Sequence, residues 1–378
     1  MESRPLRIGI TCYPVYGGSG VVATELGLEL AQRGHEVHFI TYAQPFRLPY
    51  FVENVYYHEV EVPSYPLFDY PPYSLALAAA MHGTAVRRNL DLLHVHYAVP
   101  HATSAWIARE MLRPQEIRVV TTLHGTDITL VGQDPSFHSI TRFSIFESDA
   151  ITAVSEYLRR ETVDRFDIPA ERIEVIPNFV DLERYRRDLG GCHRSQLAPE
   201  GEKIVMHISN FRPVKRVDDV VRVFARASRR VAARLVLVGD GPTRGLAQKV
   251  AEEEGVAGKV VFLGKQSSVA ELLACADVLL LPSESEAFGL AALEAMACGV
   301  PVVATAVGGV PELVPHGVAG FLAPLGDVDA MADGVVELLS DPDRWKAASA
   351  AAREVAARFS ADEVVPRYET LYRRVLSS

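Results

Sequence analysis

Two glutamates around a predicted helix start are the residues best suited to chemistry. Glu286 and Glu294 lie eight positions apart. The apolar run 276–282 before them predicts a buried parallel strand, and an amphipathic helix is predicted to begin near Gly289. The amides and dipole of a helix start attract an anion, while carboxylates accept hydrogen bonds from hydroxyl groups. The pattern therefore favours a ligand with phosphate and sugar hydroxyls over an ordinary turn with surface acids.

A group of cations follows the first predicted strand of the second half of the chain. Arg212, Lys215 and Arg216 lie at this strand end, in a chain whose formal net charge is −10. Cations concentrated in an acidic chain indicate a local clamp for a diphosphate, with a solvated basic loop as the alternative. Gly239, in a Gly-Asp-Gly turn after the next strand, adds a further glycine-rich turn, which is a weak signal by itself.

A glycine-rich loop joins the first predicted strand to the first helix. Residues 18–23 match the dinucleotide pattern G-x-G-x-x-A, but the second strand, 36–41, is not followed by the acid that would hold an adenosine ribose. This argues against a nicotinamide or flavin cofactor. The glycines still predict a ligand close to the backbone, and Ser19 is the hydroxyl that could contact its carboxylate or phosphate. A tight turn for packing alone is the alternative.

Histidines cluster in the N-terminal half. His94, His96 and His101 suggest a metal site, but no acid or cysteine joins them at ligand spacing, so site lining or core packing is favoured. His124 lies on a glycine-containing turn directly after a buried strand. We expect it to face the ligand and to donate to a sugar hydroxyl or an oxyanion, with a structural histidine as the alternative.

Alternating strand and helix signals run almost from end to end and predict doubly wound parallel sheets. We place a boundary near residue 182, between an N-terminal domain 1–182 and a C-terminal domain 183–360, with a last helix at about 361–378 packing back on the first domain. Ligands of such folds bind at the carboxyl ends of the strands, in a cleft between two facing domains. Residues 42–73 are expected to be an irregular loop region. Strands are predicted at 6–13, 36–41, 92–95, 119–123, 150–154, 204–209, 234–239, 260–264, 278–281 and 301–305, and the first helix at 21–33.

Composition excludes several classes of protein. The chain has 378 residues, 48% of them hydrophobic and 23% charged, which is typical of a globular protein with two domains. Its negative charge argues against nucleic acid and anionic membrane surfaces as partners. No apolar run could span a bilayer, the N-terminus enters a strand directly, and the four cysteines are too scattered to indicate a disulfide framework or a zinc site. We therefore expect a cytoplasmic protein.

The Lys215 segment together with Glu286 and Glu294 resembles the retaining glycosyltransferases of family 4, which have the GT-B fold of two Rossmann-like domains. The resemblance covers essentially the whole chain. Within the family, the chain is similar to the members that transfer N-acetylglucosamine from UDP-N-acetylglucosamine to the 2-hydroxyl of L-malate, the first step of bacillithiol biosynthesis. The motifs that carry this narrower resemblance lie at 17–20, 58–63, 70–73, 94–102, 123–129 and 209–212.

The resemblance implies a role for each matching residue. Glu294 would take the ribose hydroxyls, Lys215 would neutralise the diphosphate, and His124 would contact the donor sugar. The implied catalytic residues are His124, Lys215 and Glu286. The implied donor-binding residues, all expected to meet UDP-N-acetylglucosamine, are Gly18, Asn210, Arg212, Lys215, Gly239, Phe288, Gly289, Leu290 and Glu294. The implied acceptor-binding residues are Ser19, Tyr97, Thr122 and Arg142. No metal and no cofactor are implied.

One position departs from the wider family. Many members carry an arginine five residues before the lysine, where this chain has Asn210. Either Arg212 supplies the missing charge or the site works with less positive charge. The malate-specific members share the asparagine, so the departure supports the narrower resemblance.

The implied mechanism is a front-face displacement in which domain closure builds the site and a diphosphate oxygen accepts the proton of the acceptor hydroxyl. A first rival is another family 4 transferase with a sugar, inositol phosphate or lipid acceptor. A second rival is a bilobal sugar-binding protein without chemistry. A monomer and a homodimer both stay open.

Overall fold

The computed structural model describes residues 4–15, 17–62, 66, 69–190 and 193–378. The chain divides into two compact units. Unit 1 contains the residues up to Pro177 together with Asp362–Ser378, and unit 2 contains Asn178–Ala361. The change of unit thus falls five residues before the boundary that the sequence predicts near 182.

Unit 1 is built on a parallel sheet of seven strands in the order β3-β2-β1-β4-β5-β6-β7. The strands are β1 (Arg7–Thr11), β2 (Glu36–Thr41), β3 (Val55–Glu59), β4 (Leu92–His96), β5 (Arg118–Leu123), β6 (Ala150–Ala153) and β7 (Ile173–Val175). The helices between them are α1 (Gly18–Gln32), α2 (Tyr73–Arg88), α3 (Thr103–Leu112), α4 (Thr126–Thr129), α5 (Pro135–Phe146) and α6 (Glu156–Phe166).

Unit 2 repeats the plan with six parallel strands in the order β10-β9-β8-β11-β12-β13. The strands are β8 (Lys203–Ile208), β9 (Ala233–Val238), β10 (Val260–Gly264), β11 (Val278–Leu281), β12 (Val302–Thr305) and β13 (Gly320–Ala323). The helices are α7 (Arg194–Leu197), α8 (Val217–Ala227), α9 (Arg244–Glu253), α10 (Ala270–Cys275), α11 (Leu290–Ala297), α12 (Val310–Leu313), α13 (Val328–Ser340), α14 (Pro342–Ala357) and α15 (Ala361–Ser377), most of which belongs to unit 1.

The central strands are buried on both faces, as the apolar runs predict. Strands β4 and β11 contain only buried residues, as expected for parallel sheets whose two faces are covered by helices. The strand order reverses between β1 and β4 in unit 1 and between β8 and β11 in unit 2. In open parallel sheets a ligand binds at such a switch point, outside the carboxyl ends of the strands. The prediction of two doubly wound α/β units is confirmed.

Three strands were not predicted, and one region was misjudged. Val55–Glu59 forms an edge strand parallel to β2, although 42–73 was expected to be irregular. Edge strands are half exposed, so they show no continuous apolar run. Strand β7 has three residues, and the four-residue β13 begins with glycine, which is depleted in strands, so neither gives a clear signal. Helix α1 begins at Gly18 rather than near residue 21, so the glycines belong to its first turn.

The last helix, α15, contributes to the core of unit 1. Tyr368 and Tyr372 are almost fully buried, and the Tyr372 hydroxyl lies 2.7 Å from Nδ1 of His94. In the described part of the chain, no helix is long and apolar enough to cross a membrane. Cys275 is disulfide-bonded, which the scattered spacing of the cysteines does not predict.

Candidate active site

An ion pair lies at the switch point of unit 2. Nζ of Lys215, in the loop after β8, donates to Oε1 of Glu286, in the loop after β11, at 2.6 Å. The Ser283 hydroxyl donates to the same carboxylate oxygen at 2.9 Å. The two charged side chains are 21% and 11% exposed, so they are reachable from solvent but held in place. The structure thus brings together two of the three residues that we predict to be catalytic.

The loop that carries Lys215 is anchored by Phe211. This side chain is fully buried in the core of unit 2, while its backbone adopts a positive φ of 44°. Its carbonyl accepts two hydrogen bonds from Thr243, at 3.0 Å from the amide and 2.7 Å from the hydroxyl. A Cβ on Gly239 would lie 1.8 Å from the carbonyl oxygen of Ser209, so only glycine lets the turn after β9 support this loop. Gly239 therefore shapes the site through the backbone.

Asn210 and Arg212 flank Phe211 and differ in exposure. Asn210 is half-buried, and its Oδ1 has no hydrogen-bond partner among the residues described. Arg212 is exposed. A buried polar oxygen without a partner costs stability, which a ligand group that donates a hydrogen bond would recover. Of these two predicted donor-binding residues, Asn210 therefore has the stronger structural reason to bind a ligand.

Glu286 is held by a loop that the sequence analysis did not consider. The amide of Gly309 donates to the Glu286 carbonyl at 2.9 Å. Gly308 has a φ of +58°, and a Cβ there would lie 1.9 Å from that same carbonyl oxygen. The Gly308-Gly309 pair directly after strand β12 was the available signal, since a ligand or another backbone often approaches closely at such turns.

Helix α11 begins as predicted beside Glu286. Gly289 is its N-cap with a φ of 98°, a conformation that favours glycine, and Leu290 is its first residue. Phe288 is 4% exposed and packs edge-to-face against Phe359, with 5.6 Å between the ring centroids. The first-turn amides of a helix have no acceptor within that helix. This turn can therefore receive an anionic group next to the Lys215 and Glu286 pair.

Glu294 lies inside α11 and is 6% exposed. Its Oε1 accepts a hydrogen bond from the Tyr185 hydroxyl at 2.7 Å. Tyr185 is itself 3% exposed. No local pattern in the sequence indicates this pair because 109 residues separate its members. Tyr185 fixes the direction of the carboxylate that we predict to hold the ribose.

In unit 1, the glycine loop closes tightly over the end of β1. A Cβ on Gly20 would lie 2.4 Å from the carbonyl oxygen of Tyr13, so the helix start can approach the strand only with glycine. Gly18 is exposed and Ser19 is half-buried, both in the first turn of α1. Helix α1 is 15 residues long, so its open amides carry the partial positive charge of a full helix dipole.

Tyr97 and His124 stack at the ends of β4 and β5. Their ring centroids lie 5.6 Å apart with an interplanar angle of 29°, and Tyr97 adopts a φ of 91°. Nε2 of His124 lies 2.8 Å from Nδ1 of His96. Burial, with a smaller effect of His101, lowers the pKa of His124 to about 3. His124 is therefore neutral at physiological pH and offers a hydrogen bond rather than a charge.

Asp127 joins the two loops that carry these rings. Its Oδ1 accepts from the amides of His124 at 3.2 Å and Gly125 at 2.9 Å, and its Oδ2 accepts from the amide of Ala98 at 3.2 Å. The side chain is 1% exposed. Burial raises the pKa of Asp127 to about 6, although its backbone hydrogen bonds act in the opposite direction. Asp127 lies within the 123–129 motif, but no role was predicted for it from the sequence.

Two predicted acceptor-binding residues, Thr122 and Arg142, make hydrogen bonds within unit 1. Thr122 is fully buried, and its hydroxyl lies 2.7 Å from His94 Nε2 and 2.6 Å from the Thr152 hydroxyl. Burial and these two contacts favour a packing role for Thr122, and its contact with the acceptor stays a prediction. Nε of Arg142 donates to the carbonyl of Phe166 at 2.9 Å, which directs the guanidinium towards the end of α6. Ser19 and Tyr97 keep their predicted places at the carboxyl edge.

The histidine cluster serves packing and hydrogen bonding. His94 and His96 are fully buried, and their ring centroids lie 4.5 Å apart. Burial lowers the pKa of His94 to about 3 and that of His101 to about 4. Among the described residues, no group of three or more histidines, cysteines and acids is arranged to hold a metal ion.

Two family models match complementary parts of the chain. "Glycosyltransferase Family 4" matches residues 16–184, and "Glycosyl transferases group 1" matches residues 192–355. The chain is 50% identical to an N-acetyl-alpha-D-glucosaminyl L-malate synthase from Bacillus anthracis, over 98% of this chain and 97% of that protein. It is 31% identical to a D-inositol 3-phosphate glycosyltransferase from Mycobacterium avium, over 95% of this chain and 89% of that protein.

Solved structures share the fold at low sequence identity. A sucrose-phosphate synthase from Thermosynechococcus elongatus superposes with a TM-score of 0.82 at 23% identity, covering 98% of this chain and 99% of that one. The Anabaena protein HepE in complex with UDP and glucose superposes with a TM-score of 0.80 at 21% identity, covering 99% of this chain and all of that one. These likenesses support the predicted GT-B fold, in which each unit is a Rossmann-like domain.

Proposed function

Because the chain belongs to the family 4 glycosyltransferases of GT-B fold, we propose that it transfers N-acetylglucosamine from UDP-N-acetylglucosamine to the 2-hydroxyl of L-malate. The product is N-acetylglucosaminyl-α-malate, in the first step of bacillithiol biosynthesis. The observation that carries the acceptor is the 50% identity, over nearly the whole chain, to the malate synthase. A cytoplasmic location stays a prediction, and so does the choice between monomer and homodimer.

The proposed donor site is the switch point of unit 2. Lys215 supplies a cation for the diphosphate, and the first turn of α11 adds amides and a favourable dipole. Glu294, fixed by the hydrogen bond from Tyr185 at 2.7 Å, accepts from the ribose hydroxyls. The unpartnered Oδ1 of Asn210 accepts from a donor hydroxyl. These groups supply the opposite charge and the acceptors that a nucleotide sugar requires.

The proposed acceptor site is the carboxyl edge of the unit 1 sheet. The start of α1 and the Ser19 hydroxyl offer hydrogen bonds and positive potential to a carboxylate. Tyr97 stands at the adjacent strand end and stacks on His124, which we propose to contact the transferred sugar. Arg142 stays a weaker candidate for a malate carboxylate because its guanidinium already donates to the Phe166 carbonyl.

The reaction that we propose retains the anomeric configuration by front-face displacement. The malate 2-hydroxyl oxygen forms a bond to the anomeric carbon while the bond from that carbon to the UDP oxygen breaks. A diphosphate oxygen accepts the hydroxyl proton, so no protein nucleophile is needed. The protein positions the reactants and stabilises the charge that develops on the leaving diphosphate.

Mass spectrometry of the products tests the acceptor. The enzyme is mixed with UDP-N-acetylglucosamine and one of L-malate, D-malate, succinate or D-inositol 3-phosphate. We expect an adduct of N-acetylglucosamine with L-malate, in which the anomeric coupling constant measured by NMR reports the α configuration. Succinate lacks the reacting hydroxyl and is the matched negative control. An adduct with inositol phosphate but not with L-malate would show that the acceptor is inositol phosphate, and the family assignment would stand.

A further inference from the structure

Unit 1 contains two histidine pairs with the same atomic contact. Nδ1 of His96 lies 2.8 Å from Nε2 of His124, and Nδ1 of His38 lies 2.9 Å from Nε2 of His58. Both pairs are stacked, with centroids 5.1 Å apart in each case. One nitrogen of each contact must carry the proton and the other must accept it. In both pairs, the tautomers depend on which of the two contacting nitrogens carries the proton, and the surroundings of the two pairs differ.

In the His38 pair, a carboxylate determines which nitrogen of His38 carries the proton. Nε2 of His38 lies 2.8 Å from Oε1 of Glu36, and a carboxylate only accepts hydrogen bonds. Burial lowers the pKa of His38, and it lowers that of His58 to about 4, so both rings are neutral. His38 therefore carries its proton on Nε2, its Nδ1 accepts, and His58 donates from Nε2.

In the His96 pair, the surroundings favour the opposite arrangement, in which Nδ1 of the first ring is the donor. His96 is fully buried, and its Nε2 meets neither donor nor acceptor in the part of the chain that the structure describes. An orphaned buried N–H is rarer in proteins than an under-satisfied acceptor. A bare lone pair at Nε2 puts the His96 proton on Nδ1, where it is donated to Nε2 of His124. His124 then carries its own proton on Nδ1.

We propose that His96 is a positioning residue that holds His124 in the Nδ1–H tautomer. The half-buried His124 has Nδ1 as its remaining ring nitrogen, so it presents an N–H donor to a ligand. The group that meets it must be an acceptor oxygen, which we assign to the transferred sugar; this assignment rests on the proposed function. In the opposite tautomer His124 would present a lone pair, so it could accept from a sugar hydroxyl but could not donate to the sugar oxygen.

Nitrogen-15 NMR of the ligand-free protein tests the tautomer without any activity. Long-range proton–nitrogen correlations of histidine-labelled protein distinguish a protonated from a bare ring nitrogen. We expect Nδ1 to be protonated in His124 and Nε2 in His58, and single His→Asn variants assign the signals. A protonated Nε2 in His124 would overturn the proposal, even if the enzyme transfers sugar to malate. Conversely, failure of malate transfer would leave this measurement interpretable.

Two substitutions of His96 test the consequence. His96→Leu removes the donor, and we expect kcat to fall about 10- to 100-fold, the scale of losing the outer partner of an active-site histidine, with a smaller change in the KM for UDP-N-acetylglucosamine. His96→Asn keeps an N–H donor near the position of Nδ1, so it should retain most of kcat and the tautomer of His124. Equal losses of kcat in the two variants would overturn the role.

His38→Leu is the matched control. It removes the same kind of buried ring from the same kind of pair, but it does not contact His124. We expect a loss of Tm similar to that of His96→Leu with kcat close to wild type. If His38→Leu lowers kcat as strongly as His96→Leu, the effect comes from packing and the positioning role is wrong. If His96→Leu does not fold, the wild-type spectra and His96→Asn still decide the question.

Discussion

Lys215 and Glu286 form a 2.6 Å ion pair that joins the two loops at the switch point of unit 2. The ammonium and the carboxylate neutralise each other when no nucleotide sugar is bound, and Ser283 gives the carboxylate a second hydrogen bond. A diphosphate that arrives at Lys215 must therefore share the ammonium group with Glu286 or take it over. In the donor site that we propose, the pair would hold the lysine in position before the substrate binds, which would lower the cost of organising the site during the reaction.

Substitution of Lys215 by alanine should lower kcat/KM by roughly 10²–10³-fold, the scale of losing one preorganised electrostatic contact. The Glu286 carboxylate would also lose its cation and would then repel the diphosphate. Steady-state kinetics with UDP-N-acetylglucosamine and L-malate measure the effect. Lys249→Ala removes an exposed lysine elsewhere in unit 2 and should leave turnover unchanged. Near-wild-type kcat/KM in Lys215→Ala would refute the diphosphate role.

Substitution of Tyr185 by phenylalanine should raise the donor KM about tenfold while kcat changes little. The variant loses one hydrogen bond to a buried carboxylate, which is worth about 1.5 kcal/mol or more. Glu294→Ala should raise the same KM further, because it removes the ribose contact itself. Isothermal titration with UDP measures both losses directly.

A double-mutant cycle checks that Tyr185 acts through Glu294. Residues that act as one unit show strongly non-additive effects, so Tyr185→Phe should cost almost nothing once Glu294 is alanine. Additive losses in UDP affinity would mean that Tyr185 contributes independently, and the positioning role would then be wrong.

The carboxyl of Asp127 should make stability fall as pH rises from about 4 to about 6. Burial raises its pKa in the folded protein to about 6, above the ordinary value of 3.8. Between these values the folded state binds more protons than the unfolded state, so its advantage is greatest at low pH and is lost as pH passes the folded pKa. This rise in the pKa from 3.8 to about 6 corresponds to roughly 3 kcal/mol.

Asp127→Asn provides the comparison, because the amide does not titrate. Urea unfolding at pH 4, 5, 6 and 7 should give a difference in unfolding free energy between wild type and variant that changes over pH 4–6 and is constant above. The variant should also turn over more slowly. An asparagine side chain has only one acceptor oxygen, so it cannot accept both from the amide of Ala98 and from the amides of His124 and Gly125. A difference that does not vary with pH would show that Asp127 ionises normally.

Several features of the fold and site could be predicted from the sequence, for identifiable reasons. The buried runs around β8 and β11 predict two strands followed by the loops of Lys215 and Glu286, and the resemblance places both residues in one donor site. The ion pair between them was not predicted, because no spacing shows that these two strands are neighbours. Tyr185 could not be linked to Glu294, because no local pattern reports a contact across 109 residues. The contacts of Thr122 were hidden for a different reason: it lies near a strand end, but the spacing does not reveal that His94 on the next strand contacts its hydroxyl.

Gly308→Ala should destabilise unit 2 and impair catalysis together. Its φ of +58° costs a non-glycine residue about 1–2 kcal/mol, and the added Cβ would lie 1.9 Å from the Glu286 carbonyl oxygen. Relief of that collision moves Glu286 away from Lys215, so kcat/KM should fall in addition to the unfolding free energy. Gly317→Ala is the matched control, because its φ is +75° but no atom of the described residues lies within 4 Å of its Cβ position. It should show the backbone cost alone with normal turnover. Equal unfolding free energies and equal kinetics in the two variants would show that the loop after β12 does not position Glu286.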